Sequence, residues 1–247
     1  MKEQNYSEKN DLLSQSKEKE EQKEDLQYII ERDIKNETKY DKSIKIILLG
    51  DSNVGKSSII NRLCKGKFKE RIGATASIEY HNYLIKINDY TIRMKIWDTV
   101  GQEKYNSIVT NYYHSTDYGI FVYSIDDFQS FYSLKDWLIE AQQNNTETFN
   151  EMKYILLGNK KDLEETNRIV TYDNGKKFAE DNRFMSFKEI SCKNDDEENI
   201  VKVFDEIAID YYIFKKKLIS DSDTLAYIAS DSIMEMSIKR KKEKKCC

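Results

Sequence analysis

The chain has 247 residues, 34% of them charged, with a formal net charge of −4, enough for one or two domains with a buried core. No run approaches the roughly 18 consecutive apolar residues of a membrane span, and Met1-Lys2-Glu3 opens neither a signal peptide nor a myristoylation motif. Cys64 and Cys192 lack metal-ligand partners at a suitable spacing, which fits free thiols in a reducing compartment and excludes a disulfide scaffold.

In chain order, residues 1–42 come first, with nine Lys or Arg, twelve Asp or Glu, and few aromatic or β-branched side chains. Such a segment buries too little apolar surface to offset its chain entropy, so it reads as a disordered extension, transiently helical around Leu26 to Ile30. The apolar run Ile44 to Leu49 follows, then Gly50-Asp51-Ser52-Asn53-Val54-Gly55-Lys56-Ser57 and a helix opening at Ser58. Strand, glycine loop and helix in that order aim consecutive backbone N–H groups and a helix N-terminus at an anion. The candidate phosphate cradle is therefore Asp51, Ser52, Asn53, Val54, Gly55, Lys56, Ser57 and Ser58. Lys56 reaches the terminal phosphates, and the Ser57 hydroxyl is offered to Mg²⁺.

Gly66 ends the helix, and a polar loop carries Thr75, 19 residues after Lys56. A threonine there can bring its hydroxyl to Mg²⁺ and its N–H to a γ-phosphate. Ile78 to Lys86 and Tyr90 to Trp97 alternate as strands and join through Asn88-Asp89, predicting an antiparallel hairpin at the sheet edge. The second strand runs into Asp98, a carboxylate suited to a magnesium water shell, and then into Gly101, whose N–H can meet the γ-phosphate, and Gln102, which can orient a water.

Tyr118 to Tyr123 reads as a buried strand, Asp127 to Gln142 as a helix, and Met152 to Gly158 as another strand ending in Asn159-Lys160-Lys161-Asp162. An Asp carboxylate can accept from both the ring N1–H and the exocyclic amine of guanine. Adenine would leave that carboxylate unpaired, at a cost of several kcal/mol. Ser191-Cys192-Lys193, after the short strand Ser186 to Ile190, is placed to close over the base with backbone N–H groups. His81 and His114, far apart in sequence, carry no metal-ligand pattern. The tail Lys239 to Lys245 is basic and ends in Cys246-Cys247; it lacks the interleaved aromatics of a nucleic-acid binder, which favours a membrane surface.

Taken together, residues 43–213 resemble a Ras-superfamily small GTPase of the Rab branch. The resemblance rests on Gly50 to Ser57, Thr75, Asp98 to Gln102, Asn159 to Asp162 and Ser191 to Lys193. Weaker matches are Arg93 to Trp97, Lys104 to Ile108, Tyr112-Tyr113, Phe121 to Tyr123 and the terminal cysteine pair. It implies a P-loop NTPase fold of class α/β, with six mainly parallel strands, one antiparallel edge strand and helices on both faces. The implied function is a GTP/GDP switch in vesicle trafficking that uses Mg²⁺ and hydrolyses GTP slowly. Gln102, Lys56 and Thr75 are the implied catalytic residues, and Ser57, Thr75 and Asp98 the implied metal ligands. Asn159, Lys160, Asp162, Ser191, Cys192 and Lys193 are expected around the base, with Phe68 stacked on it. The implied partners are effectors at Tyr80, Trp97 and Tyr112, an exchange factor, a GTPase-activating protein, a GDP-dissociation inhibitor and a prenylation escort. Geranylgeranylation of Cys246 and Cys247 would hold a monomer, with no nucleic-acid partner, on the cytosolic face of an endomembrane by a flexible tail, 214–247. Two departures from the family pattern stand out: Ala76 to Tyr80 in place of Ile-Gly-Val-Asp-Phe, and Val100 in place of Ala, which stiffens the adjoining loop.

Overall fold

The computed structural model of the protein describes residues 28–34, 39–69, 79–99, 110–145, 152–194 and 198–218. Its strands are β1 (Ile30–Arg32), β2 (Lys42–Leu49), β3 (Glu79–Ile87), β4 (Tyr90–Asp98), β5 (Tyr118–Ser124), β6 (Lys153–Asn159) and β7 (Ser186–Glu189). The helices are α1 (Lys56–Lys65), α2 (Thr110–Tyr113), α3 (Phe128–Tyr132), α4 (Leu134–Asn144), α5 (Glu164–Asn167), α6 (Tyr172–Asp181) and α7 (198–218). The strands form one sheet in the order β1-β3-β4-β2-β5-β6-β7. From β4 to β7 every pairing is parallel, and β3 runs antiparallel to β4.

Buried parallel strands need apolar side chains on both faces, and the runs in β2, β5 and β6 supply them. Ile46 and Leu48, Ile120 and Val122, and Ile155 and Leu157 point to one face, where α1 and α7 pack. Ile47 and Leu49, Phe121 and Tyr123, and Leu156 point to the other, against α4 and α6. The α/β sheet with helices on both faces is thus the one the sequence implied. The hairpin forms with Ile87 opposite Tyr90, and Asn88 takes the left-handed conformation at φ 53 that such a turn requires. Gly66 ends α1 in the same region, donating its N–H to the Arg62 carbonyl at 2.9 Å. Cys64 and Cys192 are free thiols, and burial pushes Cys64 up to about 11.

Three sequence expectations are corrected. The segment read as one helix from Asp127 is two, α3 and α4, meeting at Ser133, whose hydroxyl donates to the Gln129 carbonyl at 3.0 Å and competes with the helical ladder. The last helix runs on to residue 218, past the expected boundary at 213. The extension read as disordered, or helical near Leu26 to Ile30, supplies β1 instead, a seventh strand beside the six foreseen. β1 lies antiparallel to β3, with Ile30 opposite Ile87 and Arg32 opposite Ile85. Residues 1–27, 35–38 and 219–247 lie outside the described residues.

Candidate nucleotide site

Parallel strands end together, so the loops after β2, β4, β5 and β6 converge at the carboxyl edge of the sheet, where ligands bind in such folds. Ser124 lies opposite Asn159 in the register, and Leu49 opposite Phe121. Gly50 (φ 138) passes so close to β5 that a Cβ would lie 2.0 Å from the Val122 carbonyl oxygen. Asn53 and Gly55 have φ of 65 and 102, the left-handed turns that curl a loop around a small ligand. The Asp51 carboxylate is fixed by the Trp137 indole N–H of α4 at 2.9 Å.

At the loop's end, α1 begins with Gly55 as its N-cap, no side chain capping it and no acidic residue in its first turn. The positive end of its dipole therefore faces the loop without an acidic side chain to neutralise it. Lys56, only 5% exposed, turns back over the loop: its ammonium donates to the carbonyl of Asp51 at 2.9 Å and to that of Gly50. Ser57 and Ser58 sit half-buried in the same first turn. Asp98 is buried at the end of β4, and Thr99 beside it donates to the Leu48 carbonyl at 2.6 Å.

The second half of the site is stitched to the first. Asn159, 2% exposed, donates from Nδ2 to the Val54 carbonyl at 2.8 Å, so the loop after β2 and the end of β6 form one unit. A Cβ on Gly55 would lie 2.1 Å from that Nδ2, which explains why glycine stands there. Asn159 Oδ1 is buried with no hydrogen-bond partner. An orphaned buried acceptor at such a point fits a site completed by a ligand. Lys160 adopts φ 65, with Nζ 3.5 Å from Asp126, which also accepts from the Ser124 hydroxyl. Ser191 Oγ accepts N–H groups from Lys193 and Asn194 at 3.2 and 3.0 Å, so its own proton goes to Asp162 Oδ1 at 2.6 Å. Cys192 is buried, Lys193 is exposed, and Phe68 is half-buried with one side against the α1 core.

Asp51 to Ser58, Asp98, Asn159, Lys160, Asp162, Ser191, Cys192 and Lys193 therefore lie along one edge of the sheet. Thr75, Val100, Gly101, Gln102, Cys246 and Cys247 lie outside the described residues. Sequence reasoning missed Trp137 and Arg168. Helical spacing over α4 does not show that the Trp137 N–H reaches Asp51. Arg168 grips Glu189, at the end of β7, through Nη1 at 2.8 Å and Nη2 at 2.6 Å, and so braces the segments carrying Asp162 and Ser191. The fork holds the Arg168 guanidinium above its ordinary value. Beside the site, Tyr80, Trp97 and Tyr112 form a continuous aromatic strip, with ring centroids 5.2 and 5.5 Å apart. Tyr80 is 54% exposed.

Comparison with known proteins bears on this geometry. The model of the Ras family matches residues 45–212. The Ras-related protein Rab-11B of Dictyostelium discoideum is 38% identical over 72% of this chain and 79% of its own. The Ras-related protein Rab-9A of Mus musculus is 31% identical over 82% of this chain and 96% of its own. The Ras-related protein RAB1BV of Beta vulgaris is 35% identical over 75% and 81%.

Proposed function

Because this chain belongs to the Ras family and to its Rab branch, we propose a division of labour among its residues for a lipid-tethered switch. The protein is a GTPase that binds GTP and GDP with Mg²⁺, hydrolyses GTP to GDP, and acts as a switch in vesicle trafficking in association with endomembranes. Its kinds of partner are effectors, exchange factors, GTPase activators and dissociation inhibitors.

In the proposed assignment, the loop Asp51 to Gly55 and the first turn of α1 bind the phosphates, with Lys56 as the cation. Ser57, Thr75 and Asp98 hold the Mg²⁺, which supplies charge neutralisation between the phosphates when bound. Asn159, Lys160 and Asp162 read the base, Ser191, Cys192 and Lys193 close over it, and Phe68 stacks on it. Gly101 senses the γ-phosphate and Gln102 orients water. Turnover in this reading is slow, of the order of 10⁻⁴ s⁻¹, until an activator supplies an arginine. The observation that carries this reading is the pair of hydrogen bonds, Asn159 to Val54 and Ser191 to Asp162, which lock the phosphate loop and both base-reading segments into one site.

The strip of Tyr80, Trp97 and Tyr112, exposed at Tyr80 and half-buried at the other two, is the proposed effector face. Among the described residues no helix is long and apolar enough to cross a membrane. Attachment is assigned to geranylgeranyl chains on Cys246 and Cys247, delivered by a prenylation escort, at about 0.8 kcal/mol per buried CH₂. The basic run from Lys239 adds about 1 kcal/mol per Lys or Arg at an anionic leaflet. The test is cell fractionation of a Cys246→Ser, Cys247→Ser double variant. It should move entirely to the cytosolic fraction with unchanged nucleotide binding, while neutralising the lysines lowers retention only partly. Persistent membrane association of the double variant would place the anchor elsewhere.

A further inference from the structure

Parallel strands also start together, so the amino edge of the sheet, opposite the nucleotide site, collects the first residues of β5 and β6. These are Tyr118 and Lys153, which lie opposite each other in the register. Helices α4 and α6 end at this edge, at Asn144 and Asp181, and the residues that follow them, Asn145 and Asn182, line one cavity with Tyr118 and Lys153. Neither helix has a basic residue in its last turn, so two negative dipole ends meet there without a cation of their own. The cavity measures about 790 Å³, within the range of small-molecule sites.

Asp117, just before β5, stands in its lining. Asp117 Oδ2 accepts the Lys45 N–H at 2.7 Å. Among the described residues no Lys or Arg forms an ion pair with it, and the Lys45 ammonium donates instead to the His114 carbonyl at 2.8 Å. Burial raises the Asp117 carboxyl above its ordinary value, against the opposing effects of that N–H and of the Lys42 and Lys45 charges. A half-buried carboxylate without an ion pair is costly, and a cation in the cavity would offset that cost.

Four aromatic rings, those of Tyr118, Tyr154, Tyr211 and Phe214, line the same space. Tyr211 is near enough to Asp117 to feel its charge: burial, together with Tyr90 and Asp117, pushes its hydroxyl up to about 12. The Phe214 ring already holds one ammonium, with Lys153 Nζ 5.9 Å from its centroid. That lysine is neutralised by Asp210 at 2.6 Å and so leaves the charge of Asp117 uncancelled. Arg183, the other cation of the lining, is exposed, where water and salt screen it.

We propose that this cavity binds an organic ammonium ion, with Asp117 as its counter-ion and the rings of Tyr154, Tyr211 and Phe214 as its wall. Each ring presents a negative face, the arrangement by which aromatic sites recognise quaternary ammonium. Met152 and Met185, in the same lining, supply polarisable contact for the apolar part of the ligand. Where the ligand also carries a phosphate, Arg183 on the rim is the group to meet it.

The test is a titration of the purified full chain with choline, followed by NMR of the methionine methyl groups. Met152 and Met185 should shift at millimolar choline, while Met94, buried in β4, stays still. The uncharged isostere of choline, with a tert-butyl group in place of trimethylammonium, should bind about tenfold more weakly. Asp117→Asn keeps an acceptor for the Lys45 N–H but removes the charge, and should weaken choline about tenfold without lowering the melting temperature. Tyr211→Leu should weaken it about fivefold. Phosphocholine distinguishes two sources of the ligand, and both outcomes support the site: binding tighter than choline, lost in Arg183→Ala, points to a lipid headgroup, and weaker binding to a free amine. Equal binding of the isostere, native choline binding by Asp117→Asn, or still methyl groups at Met152 and Met185 would overturn the proposal.

Discussion

Lys56→Ala lowers the affinity of the chain for GDP and GTP by at least about 100-fold, read by equilibrium titration with fluorescent nucleotide. The Lys56 ammonium is the cation turned over the phosphate loop, and its stem is buried at the start of α1. Hydrogen bonds to charged groups contribute about 1.5–3 kcal/mol each, so losing two exceeds the roughly 2.8 kcal/mol that a 100-fold change represents. The opposing effect is small: without ligand, the ammonium satisfies the Gly50 and Asp51 carbonyls, which water can solvate in its place. α1 still presents its uncapped N-terminus, so a weak residual affinity of anion-binding strength should remain. Lys56→Arg does not rescue, because a planar fork needs room that a 5% exposed position lacks. Near-native affinity in Lys56→Ala would remove the phosphate loop from the account.

The second large effect is a change of base. Asp162→Asn shifts the preference of the site from guanosine to xanthosine nucleotides, with guanosine affinity falling by about 100-fold or more. Ser191 explains why the fold should tolerate the change. Its hydroxyl proton is committed to Oδ1 of residue 162 because Ser191 Oγ already accepts from Lys193 and Asn194. The amide oxygen of the substituted side chain can take that bond, which turns the amide N–H₂ toward the base. An acceptor for the guanine N–H groups becomes a donor suited to the extra carbonyl of xanthine. The nucleotide preference is read by competing the two bases against one fluorescent ligand. An unchanged preference would mean that other residues read the base.

Much of this was legible in the sequence because its signals are local. The strand–loop–helix around Gly50 to Ser57, the two-residue turn at Asn88-Asp89 and the strand ending in Asn159 are each set by neighbouring residues. The α/β sheet followed from alternating strand and helix signals. β1 was not legible, because three residues of mixed polarity carry no periodicity and exist as a strand only against the β3 edge and Asp205, far away in sequence. The kink at Ser133 depends on one hydroxyl bond, and the Arg168–Glu189 brace joins residues no motif connects. Trp137 shows the same limit: its grip on Asp51 joins residues far apart in sequence, and helical spacing does not reveal it.

The central claim is that this edge of the sheet holds guanine nucleotide and turns it over as a switch. The most direct measurement is the nucleotide extracted from the purified full chain, followed by single-turnover conversion after loading with GTP and Mg²⁺. The account predicts guanosine diphosphate or triphosphate in the extract and slow conversion of GTP to GDP, accelerated by an activator extract and blocked in Gln102→Leu. An adenosine nucleotide in the extract, or GTP that stays intact with activator present, would contradict it.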